Sequence, residues 1–85
     1  MNPHTDTENA ILSVLREAGK FAVIEQTLFA HTSAATLKPI TRPDFDAALK
    51  SLVSAAPQLV REIGDAPRKF TITAEGKDRL HEYKL

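Results

Sequence analysis

Residues 41–73, TRPDFDAALKSLVSAAPQLVREIGDAPRKFTIT, decide the fold, because a helix start, an amphipathic helix, a helix stop and two β-prone runs follow one another there. Thr41 offers a capping hydroxyl, Pro43 suits a first turn, and Asp44 lies near the positive end of the helix dipole. Pro57 ends the helix. Apolar residues recur at three- and four-residue steps, so one face packs on the core. The buried face is Phe45, Ala48, Leu49, Leu52 and Val53, and the solvent face carries Arg42, Asp46, Lys50 and Ser54.

Two β-prone runs follow this helix, at 59–63 and 69–73, and are joined by the turn residues 64–68. Gly, Asp and Pro in the joining segment are typical of a hairpin tip. Side chains alternate between the two faces of a strand. We therefore predict a β-hairpin in which Phe70 and Ile72 face the core while Thr71 and Thr73 face outward.

A last helix is predicted over residues 74–83, with Thr73 as its cap. Gly76 falls inside this helix, where glycine costs up to about 1 kcal/mol relative to alanine. A glycine in that position is best explained by close packing of the first helical turn against a neighbouring element. We therefore expect no room for a larger side chain at Gly76.

The N-terminal part begins with Thr5-Asp6-Thr7-Glu8, which has the Thr-x-x-Glu spacing of a capping box. It predicts a first helix from about Asp6 to Ala18, with Ile11, Leu12 and Leu15 on its buried stripe. Gly19 then supplies a left-handed stop.

A short strand is expected at 20–23, and a second helix of about ten to twelve residues begins at Val23 or Ile24. That helix ends among the Ser, Thr and Ala residues at 32–36. Residues 36–40 then form a turn, because Pro39 disfavours helical conformation at the residue before it.

The chain has 85 residues and no cysteine, which indicates one small domain stabilised by packing and not by disulfides. We divide it into a flexible N-terminus of residues 1–5 and a single domain of residues 6–85. The sequence shows neither a secretory signal nor an apolar run long enough to span a membrane. We therefore expect a cytoplasmic protein with no membrane partner.

Formal charge is balanced, with eleven Lys and Arg against eleven Asp and Glu. Many compact DNA-binding modules are basic, so this balance weakens the case for a nucleic-acid partner. The distribution is uneven, because residues 38–69 hold six basic and four acidic side chains. The small positive excess therefore falls on the third helix and the hairpin, and it slightly favours a polyanion as the partner.

The run FTITAEGKDRL at 70–80 resembles the end of many small bacterial winged helix-turn-helix proteins, where an aromatic-x-Leu-Thr-x-x-Gly-x-x-x-Leu pattern closes the wing and begins the last helix. Ile72 replaces the usual leucine. Together with 11–15 and 45–52, the resemblance extends over residues 6 to 83. It implies an α+β winged helix-turn-helix fold with a three-helix core, a β-hairpin wing and a C-terminal helix. The chain departs from the pattern in a longer link before the third helix and in Asp44 and Asp46 at that helix's start.

The resemblance implies a transcriptional regulator that binds double-stranded DNA, with the third helix in the major groove and the wing on the backbone. We expect a homodimer, because one small neutral domain would bind weakly, and an affinity that falls steeply with salt. A positive stripe along the helix and wing would favour this function. The candidate DNA-binding residues are Thr41, Arg42, Lys50, Arg61, Arg68 and Lys69.

The alternative is a protein–protein interaction module that does not bind DNA. Its docking surface would be the exposed third helix or the second helix around Phe29 and His31. An exposed Phe29 would favour this alternative, whereas a buried one would leave it without an anchor.

Catalysis is not expected. His4, His31 and His81 are scattered along the chain, and none has a histidine or cysteine companion at metal-ligand spacing. The three glycines form no phosphate-binding loop, and Ser33 near His31 has no oriented base. The sequence therefore predicts a binding protein without a metal or cofactor.

Overall fold

The computed structural model describes residues 3–36, 39–64 and 67–83, which form an α+β domain of helices packed on a three-stranded antiparallel sheet. The predicted α+β class and the predicted order of elements are confirmed. In chain order the elements are α1 (Pro3–Ala18), β1 (Val23–Ile24), α2 (Glu25–Ala35), α3 (Arg42–Ser54), β2 (Val60–Ile63), β3 (Lys69–Ile72) and α4 (Ala74–Tyr83).

The first helix begins earlier than the sequence indicated. α1 starts at Pro3, so Thr5 lies inside the helix and not at a capping position before Asp6. Proline suits the first helical position, because its φ is already close to the helical value and its missing N–H needs no partner there. The end of the helix is confirmed, since Gly19 has φ +66° and its N–H donates to the carbonyl of Arg16 at 3.0 Å. The predicted flexible segment 1–5 thus overlaps α1.

The second helix follows a very short strand. β1 contains Val23 and Ile24, so of the predicted strand 20–23 only Val23 is in it, and α2 begins one residue after Ile24. The N–H of Glu25 donates to the carbonyl of Arg68 at 2.9 Å, which ties the helix start to the hairpin. α2 has eleven residues, as predicted. Of the turn predicted at 36–40, residues 37–38 lie outside the described part of the chain.

The third helix matches its prediction closely. Thr41 is the N-cap, and its hydroxyl accepts the N–H of Asp44 at 3.2 Å. The carbonyl of Thr41 also accepts the N–H of Phe45 at 3.0 Å, which closes the first turn. Phe45, Ala48, Leu49 and Leu52 are buried, while the predicted solvent face is exposed.

Within the sheet, β3 is the central strand, in the order β1-β3-β2. Val23 and Glu62 are both register partners of Phe70, and Ile24 and Ile63 are both partners of Lys69. Because paired residues share a face, the row through Phe70 lies on the helix-packed side and the row through Lys69 on the outer side.

Thr73 does not simply point into solvent as predicted. Its hydroxyl donates to the carbonyl of Gln58 at 2.7 Å and accepts the N–H of Gly76 at 3.1 Å. The predicted cap of α4 is therefore confirmed, and the same hydroxyl also fastens the helix start to the segment before β2. Thr71 is half-buried.

One apolar core joins the helices to the sheet, and the close packing predicted at Gly76 is confirmed. A Cβ built on Gly76 would lie 2.4 Å from the carbonyl oxygen of Leu59 and 2.8 Å from Cγ1 of Ile72. The core residues are Ile11, Leu12, Leu15, Leu28, Phe45, Ala48, Leu49, Leu52, Val60, Phe70 and Leu80.

Thr32 is a buried hydroxyl in α2 whose Oγ1 has no hydrogen-bond partner among the described residues. A buried polar group without a partner costs about 1–3 kcal/mol of desolvation. We expect Thr32→Val to raise the free energy of unfolding by about 1 kcal/mol, measured by urea denaturation. Thr27→Val, at an exposed position of the same helix, controls for the change in helix propensity. Equal effects of the two substitutions would contradict this account.

Candidate nucleic-acid interface

The surface where α3 meets the hairpin contains some of the residues on which the DNA prediction rests. α3 packs on the helix-packed side of the sheet through its buried face, and an open groove of about 440 Å3 lies between one edge of α3 and the β2–β3 hairpin. We call this the α3–hairpin groove. It is lined by Asp46, Leu49, Lys50, Val53, Ser54, Glu62, Arg68 and Phe70.

A cluster of ion pairs crosses the surface beside this groove. Glu25, in the first turn of α2, pairs with both Arg42 of α3 and Arg68, the residue just before β3. Arg42 Nε also donates to Asp46 at 3.0 Å, and Arg68 Nη1 donates to Glu62 at 3.3 Å. We call these five residues the Glu25 cluster. They link α2, α3 and the hairpin through side chains that are all partly exposed.

The two arginines of the Glu25 cluster also lie over aromatic rings. The guanidinium of Arg42 is 5.2 Å from the ring centre of Phe29 and 5.5 Å from that of Phe45. Arg68 is 5.6 Å from the ring centre of Phe70. Cation–π contacts of this kind hold a guanidinium in place at a partly exposed site.

Phe29 is consequently a poor docking anchor. It is half-buried, packs against the core, and meets Phe45 edge to face with 5.1 Å between ring centres. Arg42 covers part of its ring. The alternative of protein docking at Phe29 and His31 therefore loses the free aromatic side chain on which it depended, although His31 is exposed.

The structure does not bring all six candidate residues together. Lys50 and Arg68 line the α3–hairpin groove, Arg42 belongs to the Glu25 cluster beside it, and Thr41 caps the start of α3. Arg61 and Lys69 lie on the outer face of the sheet, because strand alternation turns them away from the buried Val60 and Phe70. The positive stripe that would have favoured DNA is therefore divided between two faces.

The groove side carries three cations and three carboxylates among the described residues. Lys50 is the cation there without an ion pair in the described part of the chain. Sequence analysis did not identify Glu25 as a functional residue. Its only local feature is its position in the first turn of α2, where a carboxylate complements the helix dipole. The cations are Arg42, Lys50 and Arg68, and the carboxylates are Glu25, Asp46 and Glu62.

Comparison of the chain with models of protein families, with curated proteins and with solved structures gave no match. The described ranges contain no helix long and apolar enough to cross a membrane. Within those same ranges, no three His, Asp or Glu side chains are grouped so that they could hold a metal ion.

Proposed function

We propose that the chain is a winged helix-turn-helix domain that binds double-stranded DNA, with α3 in the major groove and the β2–β3 hairpin as the wing on the backbone. The observation that carries this proposal is the arrangement of α3. Its outward face is polar, and its N-terminus is capped by Thr41. It lies beside the β2–β3 hairpin, whose strand β3 also pairs with β1. Such an arrangement presents a helix and a hairpin together to one ligand.

The exposed side of α3 has the shape that close approach to base edges requires. Ala47, Ser51 and Ser54 are small and exposed, so the helix backbone can enter a groove without collision. Lys50 lies among them and can donate to a phosphate or to the O6 and N7 atoms of guanine. We assign Lys50 the central contact.

Electrostatics make the expected affinity of one domain low. The groove side carries as many carboxylates as cations, so long-range attraction to phosphates is weak. Exposed ion pairs contribute no more than about 1 kcal/mol each, so Arg42 and Arg68 can exchange a carboxylate for a phosphate at little cost. Two copies on adjacent half-sites would add their contacts, which is the reason for the expected homodimer.

Two substitutions on the groove side test DNA binding in opposite directions. Lys50→Ala should weaken binding to a short mixed-sequence duplex and reduce the salt slope, log K against log salt, by about 1. Glu25→Gln should strengthen binding several-fold, because it removes a carboxylate and releases two arginines for phosphates. Fluorescence anisotropy at about 50 and about 200 mM salt measures both effects.

The matched control is Lys77→Ala, which removes an exposed cation from α4. It should leave affinity and salt slope unchanged. Absence of binding at the lower salt concentration, or equal losses for Lys50→Ala and Lys77→Ala, would refute DNA binding through α3. Amide spectra of each variant confirm that the fold is retained.

A further inference from the structure

The outer face of the sheet carries a row of side chains that points away from the α3–hairpin groove. Ile24, Lys69 and Ile63 are cross-strand neighbours on β1, β3 and β2. Both isoleucines are large apolar side chains with more than two fifths of their surface exposed, 41% for Ile24 and 43% for Ile63. The row therefore places two exposed isoleucines on either side of a lysine.

A second row and a nearby aromatic residue extend this surface. Arg61 pairs in register with Thr71 on the same outer face. Phe21 is 74% exposed and lies three residues before Ile24, so its Cα is at most about 11 Å from that of Ile24. We call the outer-face residues Ile24, Arg61, Ile63 and Lys69, together with the neighbouring exposed Phe21, the outer-face patch.

The cations of the outer-face patch differ from those of the Glu25 cluster. Arg42 and Arg68 are each paired with two carboxylates, whereas Lys69 and Arg61 have no ion-pair partner in the described part of the chain. Glu75 lines the same surface depression as Arg61 without pairing with it. The outer face of the sheet thus combines apolar side chains with uncompensated positive charge.

The composition of this face is unusual for a sheet surface in contact with water. A solvent-facing side of an antiparallel sheet is normally polar, and exposed apolar side chains gathered in one place mark interaction sites. Burying two isoleucines and a phenylalanine against a partner stabilises a complex, and a desolvated cation beside them needs an opposite charge. Both requirements define the chemistry of the occupant.

We propose that the outer-face patch binds an acidic segment of a partner protein, in which large apolar side chains alternate with or adjoin Asp and Glu. The apolar side chains pack on Ile24, Ile63 and Phe21. The carboxylates pair with Lys69 and Arg61. Charge complementarity selects this occupant, and the site is independent of the α3 face proposed for DNA.

The same argument disfavours two other occupants. In a two-fold dimer the same patch is contributed by both copies, so Lys69 and Arg61 would face their own like charges. A DNA duplex supplies phosphates but no apolar surface to cover Ile24 and Ile63. An acidic and apolar protein segment supplies both carboxylates for the cations and apolar side chains for the isoleucines.

The test uses a phage-displayed library of random short peptides. The library is selected separately on the wild-type protein and on the double variant Ile24→Ser/Ile63→Ser, and the enrichment of each peptide is compared between the two. Both positions are exposed, and serine at the N-cap position Ile24 favours the start of α2, so the variant should fold. We expect peptides enriched in Asp and Glu with at least two large apolar residues. One enriched peptide, titrated into 15N-labelled protein, should shift amides at 22–24, 61–63 and 69–71.

Charge reversal supplies the matched control. Lys69→Glu should weaken binding of the enriched peptide about tenfold, whereas Lys50→Glu on the α3 side should leave it unchanged. Enrichment that is equal on the double variant, enriched peptides without acidic residues, or shifts confined to α3 would overturn the proposal. It would also be overturned if sedimentation found a wild-type dimer that the double variant lacks.

Discussion

Replacing Phe45 with alanine is expected to lower the free energy of unfolding by about 3–5 kcal/mol. Phe45 is fully buried at the first turn of α3 and meets Phe29 edge to face at 5.1 Å. Its removal leaves a cavity, ends the aromatic pair and deprives the Arg42 guanidinium of one of its two rings. A domain of 85 residues has a total stability of only about 4–13 kcal/mol, so this one substitution brings it close to unfolding.

Urea denaturation followed by circular dichroism measures this loss, and Phe21→Ala is the matched control. It deletes the same atoms from a side chain that is 74% exposed, so its effect should stay within about 0.5 kcal/mol. If Phe45→Ala is too unstable to measure, Phe45→Leu should show a smaller loss in the same direction. Equal effects at positions 45 and 21 would contradict the packing described for α3.

Replacing Gly76 with alanine is expected to cost a net amount of about 2–3 kcal/mol, although alanine is the better helix former by about 1 kcal/mol. The new Cβ would lie 2.4 Å from the carbonyl oxygen of Leu59 and 2.8 Å from Cγ1 of Ile72. The Leu59 carbonyl accepts the N–H of Thr73 at 3.2 Å, so the oxygen cannot withdraw without loss of that hydrogen bond. Relief of the clash therefore requires α4 to move off the sheet.

The control for Gly76→Ala is a second glycine whose surroundings are empty. Gly19 has φ +66° and nothing within 4 Å of a built Cβ, so Gly19→Ala should cost only the backbone strain of about 1–2 kcal/mol. Thermal and urea denaturation of the two variants separate steric clash from backbone strain. Only Gly76→Ala should also shift the amide resonances of Leu59 and Ile72. A gain in stability from Gly76→Ala would refute the close approach.

The features that sequence analysis predicted correctly are those with local causes. α3 follows from a capping hydroxyl at Thr41, a proline in the first turn and apolar spacing, all within a few residues of one another. The close packing of Gly76 was predictable because glycine inside a helix is unfavourable unless space demands it. The sequence also contained enough information to place Lys69 and Arg68 on opposite faces of the sheet, because putting Phe70 in the core turns Lys69 outward.

The features that could not be predicted depend on contacts between distant parts of the chain. Glu25 acquires its two arginine partners only when the start of α2, the start of α3 and the hairpin converge, and no local pattern around Glu25 signals that. The start of α1 at Pro3 was missed because the capping-box spacing at 5–8 offered a competing start. The outer-face patch was missed because its two isoleucines become neighbours only through the register of β1 and β2 with β3.

The central position of β3 also governs the order of events during synthesis on the ribosome. β1 is an early strand, yet its register partner Phe70 is translated long after Val23. The sheet, and the part of the core that Phe70 fills, cannot form until residues 69–72 have left the exit tunnel, because closing so long a loop brings no gain before the partner strand exists. Nascent chains arrested with residues 69–72 inside the tunnel should therefore be sensitive to protease, and chains tethered through an added C-terminal linker that brings these residues outside should be resistant.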